Sequence, residues 1–289
     1  MEIRTNISAM NAHLRMKQSS AEQGKAAERL TSGHRINSAA DDPAGLAISE
    51  SMRAQIMGLD QAERNTNDGI ALIETAEGGL QKICDMIHRL RELVVQASND
   101  TTTPSRIHIQ EEIDQILAEI DSLAHRLEYN GRPLLSGEYG GRANPNDPNN
   151  TPLFFQVGAN SDNGFVLFIE SVTAEGLGLL NSNGSRVLDV VQSTGAAIHH
   201  LLDTIDAALA KSLEERSHLG ASISRLDHAR QAVATTSENL SDAHSRVRDA
   251  DMAREMMDYM QMNVLFSAAS SMLSQANQSP NMVLQLLQG

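Results

Sequence analysis

The chain predicts a mainly α fold: an elongated rod of long antiparallel coiled-coil helices, with the terminal helices paired at one end and a small β-hairpin element at the other. Three observations carry this expectation. Apolar residues recur at steps of three and four over two separate stretches of roughly 50 residues, the period of a helix that buries one stripe. Aromatic residues make up only 3% of the chain and Trp is absent, while Ala, Leu, Ile, Ser and Gln abound, a balance suited to helical seams rather than one compact globule. Gly, Asn and Pro crowd into one interior stretch, "SGEYGGRANPNDPNNTP", where the helical period stops.

Taken in chain order, Ile3, Ile7, Met10 and Leu14 step by four, three and four and define an amphipathic N-terminal helix. Asp42 followed by Pro43 supplies an N-cap with proline at the first helical position, and Asp41 adds a second carboxylate at the same helix start. From there a seam runs Met52, Ile56, Leu59, Thr66, Ile70, Ile73, Leu80, Ile83, Ile87, Leu90, Val94 and Ala97 until "SNDTTTP" ends it. At ~1.5 Å per residue that helix is about 80 Å long and needs partners along its length. Cys84 lies on its apolar stripe as a small core residue.

Two partners are present. Ile109, Ile113, Ile116, Ile120, Leu123 and Leu127 form the first, until "YNGRP" breaks it. The second, beginning near Leu188, carries Ile198, Leu202, Ile205, Leu209, Leu219, Ile223, Leu226, Val233, Leu240 and Val247. Between them "LFFQV" and "FVLFIESV" flank "GANSDNG" and read as a hairpin at the far tip of the rod, where the chain reverses. The expected division is a discontinuous terminal coiled-coil domain of 1–44 with 250–289, a helical rod of 45–135 with 186–249, and a hairpin and loop tip of 136–185.

The stretch from Tyr259 to Gly289 holds no Asp, Glu, Lys, Arg or His, in a chain whose formal net charge is -14. Its apolar positions are Val264, Leu265, Met272, Leu273, Val283, Leu286 and Leu287. A helix whose polar positions are only Ser, Gln and Asn can be buried on several sides, whereas each buried ion would cost several kcal/mol. The antiparallel rod brings both termini together, so the N-terminal helix is its natural partner, and the surplus surface is expected to pack against other copies. The bland alternative is a fraying tail uncharged by chance, which a composition of 21% charged residues makes rare.

Other classes find little support. The acidic balance has no Lys/Arg cluster to neutralise phosphates, so nucleic acid is not expected. Gln and Asn interrupt the tail too often for a membrane span, so no membrane insertion is expected. A single cysteine allows neither an internal disulfide nor a thiolate metal cluster, and no cofactor is expected. H-E-x-x-H is absent, the adjacent His199 and His200 point to different helix faces, and no P-loop, dinucleotide-binding glycine pattern or G-x-S-x-G occurs. The N-terminus lacks the apolar run of a secretory signal, which predicts residence in the cytoplasm or departure by another route. Heptads alone would equally fit a coiled-coil scaffold that does not polymerise.

The residues themselves narrow this. "RINSAADDPAGLAISESMRAQIMGLDQAERNTNDGIALIETAEGGL", from Arg35 to Leu80, closely resembles the N-terminal signature of bacterial flagellin. "MIHRLRELVVQASND", "LEYNGRPLL", "QVGAN", "HLGASISRLDHA", "DADMAREM" and "LSQANQSPNMVLQLLQG" are similar to further flagellin blocks, in the same order. "MNVLFSAASSML", Pro43 and the final Gln288-Gly289 depart from the usual pattern without breaking a heptad.

The resemblance implies a filament subunit whose terminal helices line an inner tube, here with the variable outer domains reduced to the hairpin tip. It places Ile3, Ile7, Met10, Leu14, Val264, Leu265, Met272, Leu273, Val283, Leu286 and Leu287 in the inner-core packing. It implies export unfolded through the flagellar type III apparatus, with the N-terminal segment read as the signal, and so a secreted, extracellular protein. The implied partners are other subunits, the flagellar cap, hook-junction proteins and an export chaperone that holds the chain from about Asp249 onward. By the same resemblance Arg89, Leu93 and Glu112 would engage a host Toll-like receptor, or serve rod packing. A hook-filament junction protein, which shares such termini, is the alternative within the same class.

Overall fold

The computed structural model describes residues 6–99, 105–142, 151–181, 186–191 and 195–288, the last stretch by its backbone alone from 279. Among them stand five helices, α1 (Ile7–Ser32), α2 (Pro43–Ala97), α3 (Arg106–Arg126), α4 (Gly195–Arg248) and α5 (Met252–Gln288). Two antiparallel strand pairs join them: β1 (Glu128–Tyr129) with β2 (Arg132–Pro133), and β3 (Leu153–Gln156) with β4 (Gly164–Leu167). The mainly α class of long helices packed on one another, with small β-hairpins, is therefore what the chain adopts. It divides into two compact units, Met1–Ile56 with Glu238–Gly289, and Met57–Ser237.

In the larger unit, Ile73, Leu80, Ile83, Ile87, Leu90, Val94 and Ala97 of α2 are buried, as their spacing predicts. Ala62, Leu72, Ala76 and Leu93 are buried beside them, so the apolar face is wider than one seam, as a helix covered from more than one side requires. The core joins them to Ile109, Ile113, Leu117 and Ile120 of α3 and to Ile198, Ile205, Ala208, Leu219 and Leu226 of α4. Polar residues also occupy it. Thr66 is fully buried and its hydroxyl donates to the Ala62 carbonyl at 2.7 Å, which satisfies it within the helix. Ser212 and Glu215 fill the interval between Leu209 and Leu219 on α4, where the hydrophobic pattern skips.

The expected hairpin forms, β3 pairing with β4 so that Phe154 stands opposite Val166 and Phe155 opposite Phe165, but its position corrects the expectation. It does not cap the far tip; it lies along the flank of α2 and α4. The Asn65 amide donates to the Gln156 carbonyl at 3.2 Å, and the Arg225 guanidinium sits 4.8 Å over the Phe165 ring. The cause is the hairpin's own apolar face: Leu153, Phe165 and Leu167 are buried, and an end-on position would leave them wet. Two glycines of α2 admit the approach, since a Cβ on Gly58 would stand 3.0 Å from Ala159 and one on Gly69 3.2 Å from the Phe155 ring. Gly69→Leu is therefore expected to push the hairpin off α2 and destabilise the unit by about 1–3 kcal/mol through overpacking. Faster hydrogen exchange at residues 154–156, with α2 itself still protected, is the sign to look for.

A second correction concerns Leu188. The long helix begins at Gly195, and residues 186–191 lie outside it: the Gln110 amide donates to the Leu188 carbonyl at 3.0 Å and accepts from the Val190 N–H at 2.8 Å. Leu188 and Val190 are buried on alternate positions, a period of two that a helical pattern cannot supply. The break at "YNGRP" is itself a hairpin, β1–β2, with Asn130 at φ 53° and Gly131 at φ 73°, the left-handed pair that an Asn-Gly turn favours.

Candidate assembly surface

The smaller unit is built on α1 and α5, which pack antiparallel. The Asn6 amide donates to the Ala276 carbonyl at 2.8 Å at one end, and Arg29 meets Glu255 at 3.4 Å at the other. Asn6 also caps α1, accepting from the Ala9 N–H at 3.0 Å. Between Ala9 and Ala26 the sheltered positions of α1 are Ala9, Ala12, Met16, Ser19, Gln23 and Ala26; those of α5 are Glu255, Tyr259, Met262, Phe266, Ala269, Leu273 and Ala276. Both rows step by three and four throughout, which is a coiled-coil seam. It is a seam of small and polar residues on α1, so a search for large apolar side chains passes over it. The alternation of Ala9 with Ala12 and of Ala269 with Ala276 was the available signal.

The large apolar residues singled out in the sequence face elsewhere. At ~100° per residue, Ile7, Met10 and Leu14 lie roughly opposite the α1 seam, and Ile7 is 61% exposed. On α5, Val264, Leu265 and Met272 are likewise turned out, Val264 being 68% exposed, whereas Leu273 belongs to the seam. Ile3 lies outside the described residues, and so do the side chains of Val283, Leu286 and Leu287, although α5 carries their backbone to Gln288. Pairing α1 with α5 thus uses one face of each helix and leaves an apolar face on each uncovered. No helix among the described residues is long and apolar enough to cross a membrane.

Two connectors join these helices to α2 and α4, and they are tied to each other. The Arg35 N–H donates to the Arg248 carbonyl at 2.7 Å, the Ala250 N–H to the Gly33 carbonyl at 3.0 Å, and His34 meets Asp249 at 3.1 Å. Gly33 closes α1 at φ 73°, a left-handed C-cap that glycine adopts without strain. Asp42 caps α2 through the Ala44 and Gly45 N–H groups at 3.1 and 2.9 Å, and Asp251 caps α5. Asp41 takes a different role from its neighbour: it accepts from the Asn37 and Ser38 N–H groups and the Ser38 hydroxyl, folding the connector rather than capping a helix.

Those bonds, the Ser38 N–H first, hold the Asp41 carboxyl below its ordinary 3.8, and the Arg248 guanidinium lowers Glu50 below 4.5. A carboxyl lowered in the folded state stabilises it above the unfolded value and loses that contribution as pH falls through the folded one. Amide protection at Asn37 and Ser38 is therefore expected to decline as pH drops below 3.8, and Asp41→Asn should abolish that acid-specific loss.

On the larger unit, Arg89 is exposed and donates to Glu112 across α2 and α3 at 2.9 and 2.7 Å, and to Glu92 at 2.9 Å. These carboxylates, Glu112 foremost, raise the guanidinium pKa further. An open groove of about 410 Å³ beside it is floored by Met86, Ile116 and Leu123. Leu93 is only 1% exposed, so it packs inside the unit, and of the three residues only Arg89 and Glu112 present themselves to a visiting protein.

Two paired terminal helices, each with an apolar face left open and one of them without charge after Asp258, are what a subunit that packs against other protein requires. Family models for the bacterial flagellin N-terminal helical region and C-terminal helical region match residues 3–139 and 202–287. The chain is 41% identical to a flagellin of Bacillus subtilis (strain 168) over 99% of its own length and 100% of that protein. It is 42% identical to a flagellin of Halalkalibacterium halodurans over 99% and 100%, and 38% to flagellin FlaB2 of Treponema pallidum over the same shares. A solved structure assigned to the flagellar hook-associated proteins of Vibrio parahaemolyticus superposes with a TM-score of 0.59 at 16% identity, covering 72% of this chain and 100% of that one; this likeness is one of fold. The chain belongs to the bacterial flagellin family and is a structural subunit of the flagellar filament.

Proposed function

We propose that copies of this subunit pack in the filament through the outward faces of α1 and α5, with Ile7, Met10, Leu14, Val264, Leu265 and Met272 as contact residues. The observation that carries this reading is that the α1–α5 seam uses a different set of residues, so the pairing leaves the large apolar side chains for another copy. The lengths agree with it: α5 has 37 residues against 26 in α1, more than one partner helix can cover. Ile3, Val283, Leu286 and Leu287 continue the same inner packing, within a terminal domain of 1–44 and 250–289. Residues 45–135 and 186–249 form the rod, and 136–185 stand in for outer domains. The role is structural and uses neither catalysis nor a cofactor.

In the same reading the subunit leaves the cell unfolded through the flagellar type III apparatus, held beforehand by a chaperone on its C-terminal region, and joins a filament bounded by cap and hook-junction proteins. A Toll-like receptor would meet Arg89 and Glu112. The family relationship supports each of these, and the uncovered face of α5, uncharged from Tyr259 on, supports the need for a chaperone. Seeded sedimentation with negative-stain microscopy tests the assembly reading: the full chain should form filaments, and a chain lacking Tyr259 to Gly289 should stay soluble. Filaments from the shortened chain would overturn it.

A further inference from the structure

On α5, residues four apart form a continuous ridge: Met252, Met256, Met260, Val264, Ala268 and Met272, every one exposed, with Met257 beside it and 65% exposed. Such i, i+4 rows are the ridges that helices interlock when they pack. Four of the six ridge positions are therefore thioethers, unhindered in the free subunit. We propose that this ridge is a site of oxidative modification through which peroxide governs whether the subunit can assemble. The inference rests on the reading that this face is buried between copies.

The chemistry is oxygen transfer. A methionine sulfur attacks one oxygen of hydrogen peroxide; the O–O bond breaks as the S–O bond forms, and the sulfur loses two electrons. The departing oxygen takes up the protons and leaves as water, and the side chain becomes methionine sulfoxide. An apolar, flexible group is thereby replaced by a polar one with a strong acceptor and no donor opposite it. The ridge is accessible to peroxide only before packing, so the oxidised subunit is excluded from growth while an assembled one is shielded. Among the described residues of this unit, the other exposed methionine outside the helix is Met10, on α1. Reduction by methionine sulfoxide reductases reverses the change.

The test treats the full-length chain with hydrogen peroxide as monomer and as filament, locates added oxygen by peptide mass spectrometry, and measures seeded polymerisation. A second chain carries M252L, M256L, M260L and M272L, each chain being judged against its own untreated sample, with Val264→Asp run in parallel. The treated wild-type monomer should lose at least tenfold in filament yield, recover it after incubation with the reductases, and show oxidation of the ridge that filaments resist. The leucine chain should keep its untreated level. If Val264→Asp blocks assembly but treated wild-type chains polymerise normally, or the leucine chain is equally inhibited, the oxidation inference is overturned alone. If Val264→Asp assembles normally, the burial reading itself fails.

Discussion

Val264→Asp is expected to abolish filament formation while leaving the folded subunit unchanged. The side chain is exposed in the subunit and lies away from the α1–α5 seam, so a carboxylate there has water to itself and disturbs no intramolecular contact. In the packed filament it would be an ion among apolar groups, at a cost of several kcal/mol per subunit, and α5 itself holds neither Lys nor Arg after Arg254 to offset it. That penalty recurs at every addition, so polymerisation fails rather than slows. Circular dichroism and thermal unfolding matching the wild type, together with absent filaments after seeding, constitute the expected pair of results.

The second large effect lies in the larger unit. Glu215 is buried, its side chain only 4% exposed, and its carboxylate receives the Arg142 guanidinium at 3.0 Å and the Glu170 N–H at 3.2 Å. Arg142 reaches Glu214 as well, and the Arg142 N–H donates to the Glu170 carboxylate at 2.8 Å, so this cluster ties the 137–142 loop and the chain after β4 to α4. Burial pushes the Glu215 carboxyl above its ordinary 4.5, against the opposing pull of the Glu170 N–H and Arg142. Arg142→Ala would strand the carboxylate, at about 2–3 kcal/mol near neutral pH for a pair whose arginine is partly solvated.

The pH dependence of that loss has a definite sign. A carboxyl raised in the folded state stabilises the fold fully below the unfolded value and loses the contribution as pH rises through the folded one. Without Arg142 the folded value rises further, so the variant's deficit should be greatest at neutral pH and shrink toward 4.5 as the buried group takes a proton. Urea unfolding of both chains across that range measures it. A gap that widens on acidification would mean the cluster is held by something other than this pair.

Much of this architecture was legible in the chain. Asp42-Pro43 marks the start of α2, Asn130-Gly131 the turn after α3, and steps of three and four the buried faces of α2, α3 and α4, because each signal is local and has a direct steric or hydrogen-bonding cause. The hairpin's strands were equally readable from β-rich runs around "GANSDNG", but its seat on α2 was not, since that depends on Gly58 and Gly69 meeting residues 90 or so positions away. Glu215 was invisible to a hydrophobic scan for a related reason: a charge in a seam has meaning only once Arg142 and the Glu170 N–H are placed around it.

The assembly surface shows the same division more sharply. Ile7, Met10, Leu14, Val264 and Met272 announce themselves as apolar stripes, but the chain does not say which stripe faces the partner helix and which faces another copy. Small residues decide it. Near the start of α1, Ala9 and Ala12 face the stretch of Ala269 and Ala276, where the Asn6 amide reaches the Ala276 carbonyl, and these small side chains let the two backbones approach.

A helical reconstruction of filaments grown from this chain, at a resolution that places side chains, would show where the outward faces of α1 and α5 go. Ile7, Met10, Val264 and Met272, all exposed in the subunit, should be enclosed there by α1 and α5 of neighbouring copies, with the Ala-rich seam intact inside each subunit. Filaments in which these four side chains still face solvent, while subunits hold together through the rod alone, would contradict it.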